Sequence, residues 1–417
     1  MSEPQQLQRR LGTFDATAIG LGSMLGAGVF VVFAPAAALA GNLLVLAVVV
    51  AGVVAYCNAV ASAALAAKYP TSGGTYVYGR KQLGEWPGFL AGWGFVTGKT
   101  ASCAAMALTF GSYVAPAFAV PVAIAAVVVL TGVNLLGITR TALLTRILLC
   151  MVLATLVFVA VAAVLGPHPA TETAGAPSAG AGGVLPAAGL MFFAFAGYAR
   201  IATLGEEVRN PARAIPRAIL AALAAAFIIY LVLALLLPAH LGDRLAATRT
   251  PLLDAVLDSG LAAGAPLVQA GAAAACLGSL LALITGVGRT TLAMARERDL
   301  PGPLAKVGGT HTVPFVAELA VAAVVILLLL TTDVMTVVGF SSFGVLMYYA
   351  IANASAYTLA AHPGYAPRWL NAVGFLGCVV LAFTLPAASA LTMAAVLAAG
   401  VAGRWLVLRF RQRQPLQ

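Results

Sequence analysis

Along the chain, apolar runs long enough to cross a bilayer alternate with short polar segments that hold nearly all of the charge. A spanning helix needs roughly 20 mostly apolar residues. On that criterion the pattern predicts about twelve spans, at about residues 13–38, 42–67, 87–115, 119–136, 143–165, 184–204, 214–238, 263–295, 314–331, 334–360, 369–385 and 386–409. Two segments between them read differently. Residues 166–183, GPHPATETAGAPSAGAGG, are small and polar without periodicity and predict an external loop. Residues 239–262 carry Asp243, Asp254 and Asp258 and predict a short surface helix around Pro251 to Leu257.

Composition turns this pattern into a fold class. The chain is 62% hydrophobic and 9% charged, where about a quarter of a typical soluble domain is charged. Its mean hydropathy is +1.00. So few polar side chains cannot cover a surface in water, which excludes a soluble enzyme and predicts an all-α integral membrane protein whose solvent is the lipid bilayer. Gln5 to Arg10 is polar and basic, and the run after it is long and lacks a small-residue cleavage pattern, so the first span is expected to stay in the protein. The high alanine content points to a bacterial chain.

The five cysteines, Cys57, Cys103, Cys150, Cys276 and Cys378, stand alone in apolar runs and predict neither a disulfide framework nor a metal site. His168, His240, His311 and His362 fall in predicted loops or at membrane edges, so haem ligation between helices is not expected. No cofactor is implied.

The charges predict orientation. With the N-terminus inside, 19 of the 23 basic residues fall at cytoplasmic ends and loops. Arg244 and Arg249 fall outside, and Lys99 and Arg200 within spans. Cytoplasmic segments retain an excess of Lys and Arg, so both termini are expected in the cytoplasm. The net charge of +10 is then a topology signal spread over many segments, and nucleic-acid binding is not implied. The expected organisation is a cytoplasmic N-terminus (1–12), a first five-helix repeat (13–165), the external loop (166–183), a second repeat (184–360), two accessory helices (361–409) and a cytoplasmic tail (410–417).

Two spans contain sequences that should interrupt a helix. In the first, Gly20, Gly22, Gly26 and Gly28 punctuate IGLGSMLGAGVF, and Gly26-Ala27-Gly28 falls near mid-membrane. In the sixth, Phe193-Ala194-Phe195-Ala196-Gly197-Tyr198 occupies the matching place. Glycines in spans often serve only close helix packing. Paired interruptions in corresponding spans of two halves instead point to a secondary transporter's substrate site, where unwound backbone offers NH groups to a carboxylate and carbonyls to an ammonium. The candidate site is Ser23, Gly26, Ala27 and Gly28 with Phe193, Ala194, Phe195, Gly197 and Tyr198.

At these residues the chain resembles amino-acid permeases of the amino acid–polyamine–organocation superfamily. FFAFAGYARIATLGEEVRNPARAIPRAI (192–219), GLGSMLGAGVF (20–30), YPTSGGTYVYGRKQLG (69–84) and RTTLAMARERDLPGPLAKV (289–307) carry the likeness, which is greatest to the cationic amino acid transporter branch. The resemblance implies a five-plus-five inverted repeat of the LeuT-like kind with two accessory helices, working by alternating access. It also implies a substrate carboxylate at the backbone of Gly26, Ala27 and Gly28, and an amino group at the carbonyls of Phe193, Ala194 and Phe195. Phe193 or Phe195 would be an aromatic gate. The sequence departs from the pattern at two places. Val152 stands where some proton-coupled relatives carry a lysine, and Gly98 where many cationic transporters carry a glutamate.

Lys99 and Arg200 are the two positive charges at membrane depth, where a charge costs at least about 2.5–3.5 kcal/mol before pairing or hydration. Snorkelling to the interface is the plainer explanation for Arg200, which follows the sixth-span interruption closely. A desolvated lysine can exchange a proton during transport, so Lys99 and Arg200 are the expected charge or proton-coupling positions. Two buried positives favour a neutral or acidic amino acid over arginine. Asp15, Glu206, Glu207 and Arg209 are expected at a cytoplasmic gate, though Asp15 is equally a helix cap and GEEVRNPARAIP an ordinary turn. Arg80 and Lys81 are expected on an amphipathic helix facing headgroups. Gly98-Lys99-Thr100 is not a phosphate loop, because Trp93 stands where that motif needs glycine.

The expected function is therefore uptake of an amino acid by a secondary transporter, with proton coupling. A cationic amino acid or polyamine exchanger is the alternative. A membrane-embedded enzyme would need a catalytic pair that no span carries, and a channel would want rings of carbonyls or charges from repeated subunits.

Overall fold

The computed structural model describes residues 11–70, 73–136, 142–166, 181–202, 208–308 and 313–412. Those residues form an all-α membrane protein, with no strand among them. Backbone polar groups inside a bilayer must be satisfied internally, and helices achieve this within one segment.

The chain opens with α1 (Thr13–Met24), α2 (Ala27–Val31) and α3 (Phe33–Ala40), followed by α4 (Leu44–Lys68), the short α5 (Gly74–Leu83), α6 (Glu85–Val114), α7 (Ala119–Leu135) and α8 (Ala142–Leu165). The second part runs through α9 (Val184–Phe195), α10 (Ala199–Ala202), α11 (Pro211–Leu241), α12 (Pro251–Asp258) and α13 (Ala265–Arg296). It ends with α14 (Phe315–Thr331), α15 (Val334–Tyr357), α16 (Arg368–Thr384) and α17 (Ala387–Gln412). Nine segments among the described residues are long and apolar enough to cross a membrane, and α14 and α16 are shorter apolar helices.

The predicted first span is in fact three helices, because the chain leaves helical geometry at Gly26 (ψ −138°) and Pro35, lacking an N–H, cannot carry the helix on past Val31. The predicted surface helix is α12, one residue longer than expected. Pro216, which ends the GEEVRNPARAIP stretch read as a turn, lies inside α11. Without an N–H it leaves the carbonyl of Ala212 without its usual partner one turn on.

At the centre stands α6, packed between α13 and α15. It carries Lys99, Thr100, Ser102, Thr109 and Ser112, all buried. Such polarity is tolerable because the hydroxyls bond back along the helix, Thr100 to Val96 O (2.7 Å) and Thr109 to Ala105 O (2.7 Å). Ser102 also meets Ser341 of α15 at 2.6 Å. The backbones of Gly94 and Gly344 approach closely, as small residues allow between membrane helices.

Where α5 lies, the structure corrects the expectation that Arg80 faces headgroups. Arg80 turns inward to Asp299 (2.9 Å) and Glu297 (3.4 Å). Arg404 of α17 lies 2.8 Å from the same Asp299 and 3.2 Å from Glu85, with its guanidinium over Trp86 and Phe89. Tyr76 donates to Asp299 at 2.8 Å. Burial, and then this bond to a carboxylate, push its phenol well above the usual range, so it remains a donor. Two sequence stretches that carried the family resemblance thus meet in one ion-pair cluster. Lys81 is exposed, as expected.

Candidate functional site

The two interrupted spans cross at their interruptions. A Cβ on Gly28 would lie 2.7 Å from Ala194 Cα, and one on Gly197 would lie 2.5 Å from Met24 N and from Ser23 C. Residues 28 and 23–24 therefore meet residues 194 and 197, so the two segments run antiparallel in direct backbone contact. Only glycine permits this approach. At Gly26, a side chain would collide with the Ser279 hydroxyl of α13.

Each candidate residue has a definite place. Ala27 begins α2, and the first NH groups of a helix lack partners within it. Phe193, Ala194, Phe195 and Tyr198 are buried, and Gly197 is partly exposed. Ser23 turns its hydroxyl back to Ile19 O at 2.8 Å, so its backbone, not its side chain, faces Gly197. Phe195 packs edge-on against Tyr230 at 4.9 Å, and Phe192 against Tyr349 at 5.7 Å.

Interrupted helices free carbonyls, and the structure shows where these go. Ala196 N–H caps α9 by bonding Phe193 O. The Tyr230 hydroxyl of α11 lies 2.7 Å from Met24 O and 3.1 Å from Ala194 O, spanning both interruptions. Ala196 O receives the Lys99 ammonium at 3.4 Å and the Tyr349 hydroxyl at 3.4 Å. Lys99 therefore sits where α9 presents its carbonyl end, which favours positive charge. Further out, Tyr113 donates to Phe30 O at 3.3 Å.

Sequence reasoning singled out Lys99 but neither Tyr230 nor Tyr349. Their signal was a tyrosine in the middle of an apolar helix, since a buried hydroxyl generally requires a partner. It also passed over Glu318, an acid in the first turn of α14 that is buried against Gly288 of α13. A second polar knot lies nearby in the core, where Asn353 Nδ2 donates to Asn58 Oδ1 at 2.6 Å and the Cys378 thiol reaches the same oxygen at 3.2 Å.

The expected gate is described in part. Asp15 caps α1, accepting from Gly12 N–H at 3.2 Å, and also pairs with Arg146 of α8, whose Nε lies at 3.1 Å. One carboxylate thus both caps α1 and ties it to α8. Arg209 bonds through its N–H to Leu11 O at 2.9 Å, joining the start of α1 to the segment before α11. Arg200 is partly buried on α10. Glu206 and Glu207 lie outside the described residues. Among the described residues no group of three or more His, Cys, Asp or Glu is placed to hold a metal ion.

The sequence matches the amino acid permease family over residues 11–401. An uncharacterized transporter of Mycobacterium tuberculosis is 58% identical over 402 residues, covering 96% of this chain and 91% of that protein. A branched-chain amino acid permease of Bacillus subtilis is 30% identical over 349 residues, covering 76% and 73%. The chloroplastic cationic amino acid transporter 7 of Arabidopsis thaliana is 27% identical over 396 residues, covering 88% and 68%.

Proposed function

From the premise that the chain belongs to the amino acid permease family, we propose that it takes up a neutral or acidic amino acid by alternating access, driven by the proton gradient. It is a multi-pass membrane transporter of amino acids and not an enzyme. The observation that carries the rest is the antiparallel meeting of the two interrupted helices. Backbone NH and carbonyl groups there lie at a low-dielectric centre, where each hydrogen bond to a charged group is worth most.

In this reading the substrate carboxylate takes the NH groups of Gly26, Ala27 and Gly28, and the amino group the carbonyl end of α9. Phe195 is engaged with Tyr230, which leaves Phe193 as the aromatic gate. Ser23, Ala194, Gly197 and Tyr198 shape the backbone around the substrate. Lys99 and Arg200 set the charge of the site. Both termini are cytoplasmic, and the Asp15–Arg146 pair, with Glu206, Glu207 and Arg209, closes the cytoplasmic mouth. Residues 13–165 and 184–360 are the two repeats, inverted relative to each other.

Gly28→Leu tests the location. A leucine there must drive α2 from α9, so uptake should be abolished while expression in the membrane stays normal. Normal uptake by this variant would show that substrate binds elsewhere.

A further inference from the structure

Lys99 raises a question of charge that the main-chain site leaves open. Lys99 is only 6% exposed, and the acceptor of its ammonium, Ala196 O at 3.4 Å, is shared with Tyr349. Among the described residues its charge meets no carboxylate within ion-pair range. The ion pairs there belong to Arg80, Arg146, Arg244 and Arg404. The buried Glu318 packs on Gly288 instead. A neutral carbonyl compensates a full charge poorly where water is excluded. A substrate ammonium brought to the same end of α9 would add a second positive charge beside the first.

Both difficulties are removed by one additional anion, and the substrate is the group that arrives at this place. Resting on the proposed site, we infer that Lys99 is a specificity residue and that the substrate is an acidic amino acid. Its side-chain carboxylate pairs with Lys99 Nζ, drawing the lysine off Ala196 O. The substrate's own ammonium takes the vacated carbonyl end, and its main-chain carboxylate keeps the NH groups of Gly26 to Gly28. A cationic amino acid would meet like charge at the same point and be rejected. The position of Lys99 on α6 puts the selecting charge on a different helix from the groups that hold the main chain.

The experiment is exchange in proteoliposomes of the purified full chain, loaded in parallel with L-glutamate, L-aspartate, L-glutamine, L-leucine or L-arginine. Saturable exchange of glutamate or aspartate, with glutamine much weaker, is expected. Lys99→Met should raise KM for the acidic substrate at least about 30-fold, the cost of stripping one partner from a buried charge pair, and should erase the preference over glutamine. Lys99→Arg should retain that preference. If Lys99→Met does not fold, inhibition of wild-type exchange by glutamate against glutamine decides alone. Exchange of leucine or arginine in preference to the acidic substrates would overturn the assignment of Lys99 and leave the transporter reading standing. Absence of exchange for every amino acid would overturn both.

Discussion

One hydroxyl joins the two interrupted helices. Tyr230 reaches Met24 O and Ala194 O from the middle of α11, so replacing it with phenylalanine leaves a buried carbonyl without its donor while preserving the ring against Phe195. Such a loss costs about 1–3 kcal/mol. Tyr230→Phe should lower the melting temperature of the purified protein and slow exchange, with expression retained. Unchanged exchange would make Tyr230 a packing residue only. At this scale the glycines and phenylalanines were legible in sequence, because a glycine cluster in an otherwise apolar run is a local signal. Tyr230, Tyr349 and Glu318 were not, because each is defined by partners on other helices. Lys99 was legible as a buried charge, but its acceptor was not, since Ala196 is 97 residues away.

Among the elements, α1 and α8 are held by Asp15 and Arg146 at the end where the chain begins. Arg146 is 46% exposed and Asp15 17%, and a pair this open to solvent contributes only about 0–1 kcal/mol to stability. Its effect should therefore fall on transport and not on folding. Asp15→Arg or Arg146→Asp alone should slow uptake with little change in melting temperature, and the double exchange should restore it. Equal uptake by all three variants would reduce the pair to a helix cap. The helices α5 and α12 were legible because glycine, proline and an amphipathic pattern mark them locally. The division of the first span was legible at Gly26, and the second division follows from Pro35, which has no N–H to bond the Val31 carbonyl and so ends α2 there. Arg80 was misread as facing headgroups because its partner Asp299 comes 219 residues later.

For the whole molecule, hydropathy alone specified a membrane protein, since a chain 9% charged has no other solvent available to it. The matching interruptions specified a transporter. What hydropathy could not convey is that residues 23–28 and 194–197 run antiparallel in contact, the geometry expected if residues 13–165 and 184–360 are inverted copies. Which side chains surround the crossing was not legible, because they come from α6, α9, α11 and α15, brought together by packing. The central claim is that amino acids are carried at this crossing. Its most direct test is counterflow in proteoliposomes loaded with the twenty amino acids, each labelled one offered outside with and without an imposed proton gradient, for the wild type and Gly28→Leu. The account predicts saturable counterflow of a neutral or acidic amino acid, accelerated by the inward proton gradient and lost in Gly28→Leu. Counterflow of no amino acid, or counterflow undiminished in that variant, would contradict it.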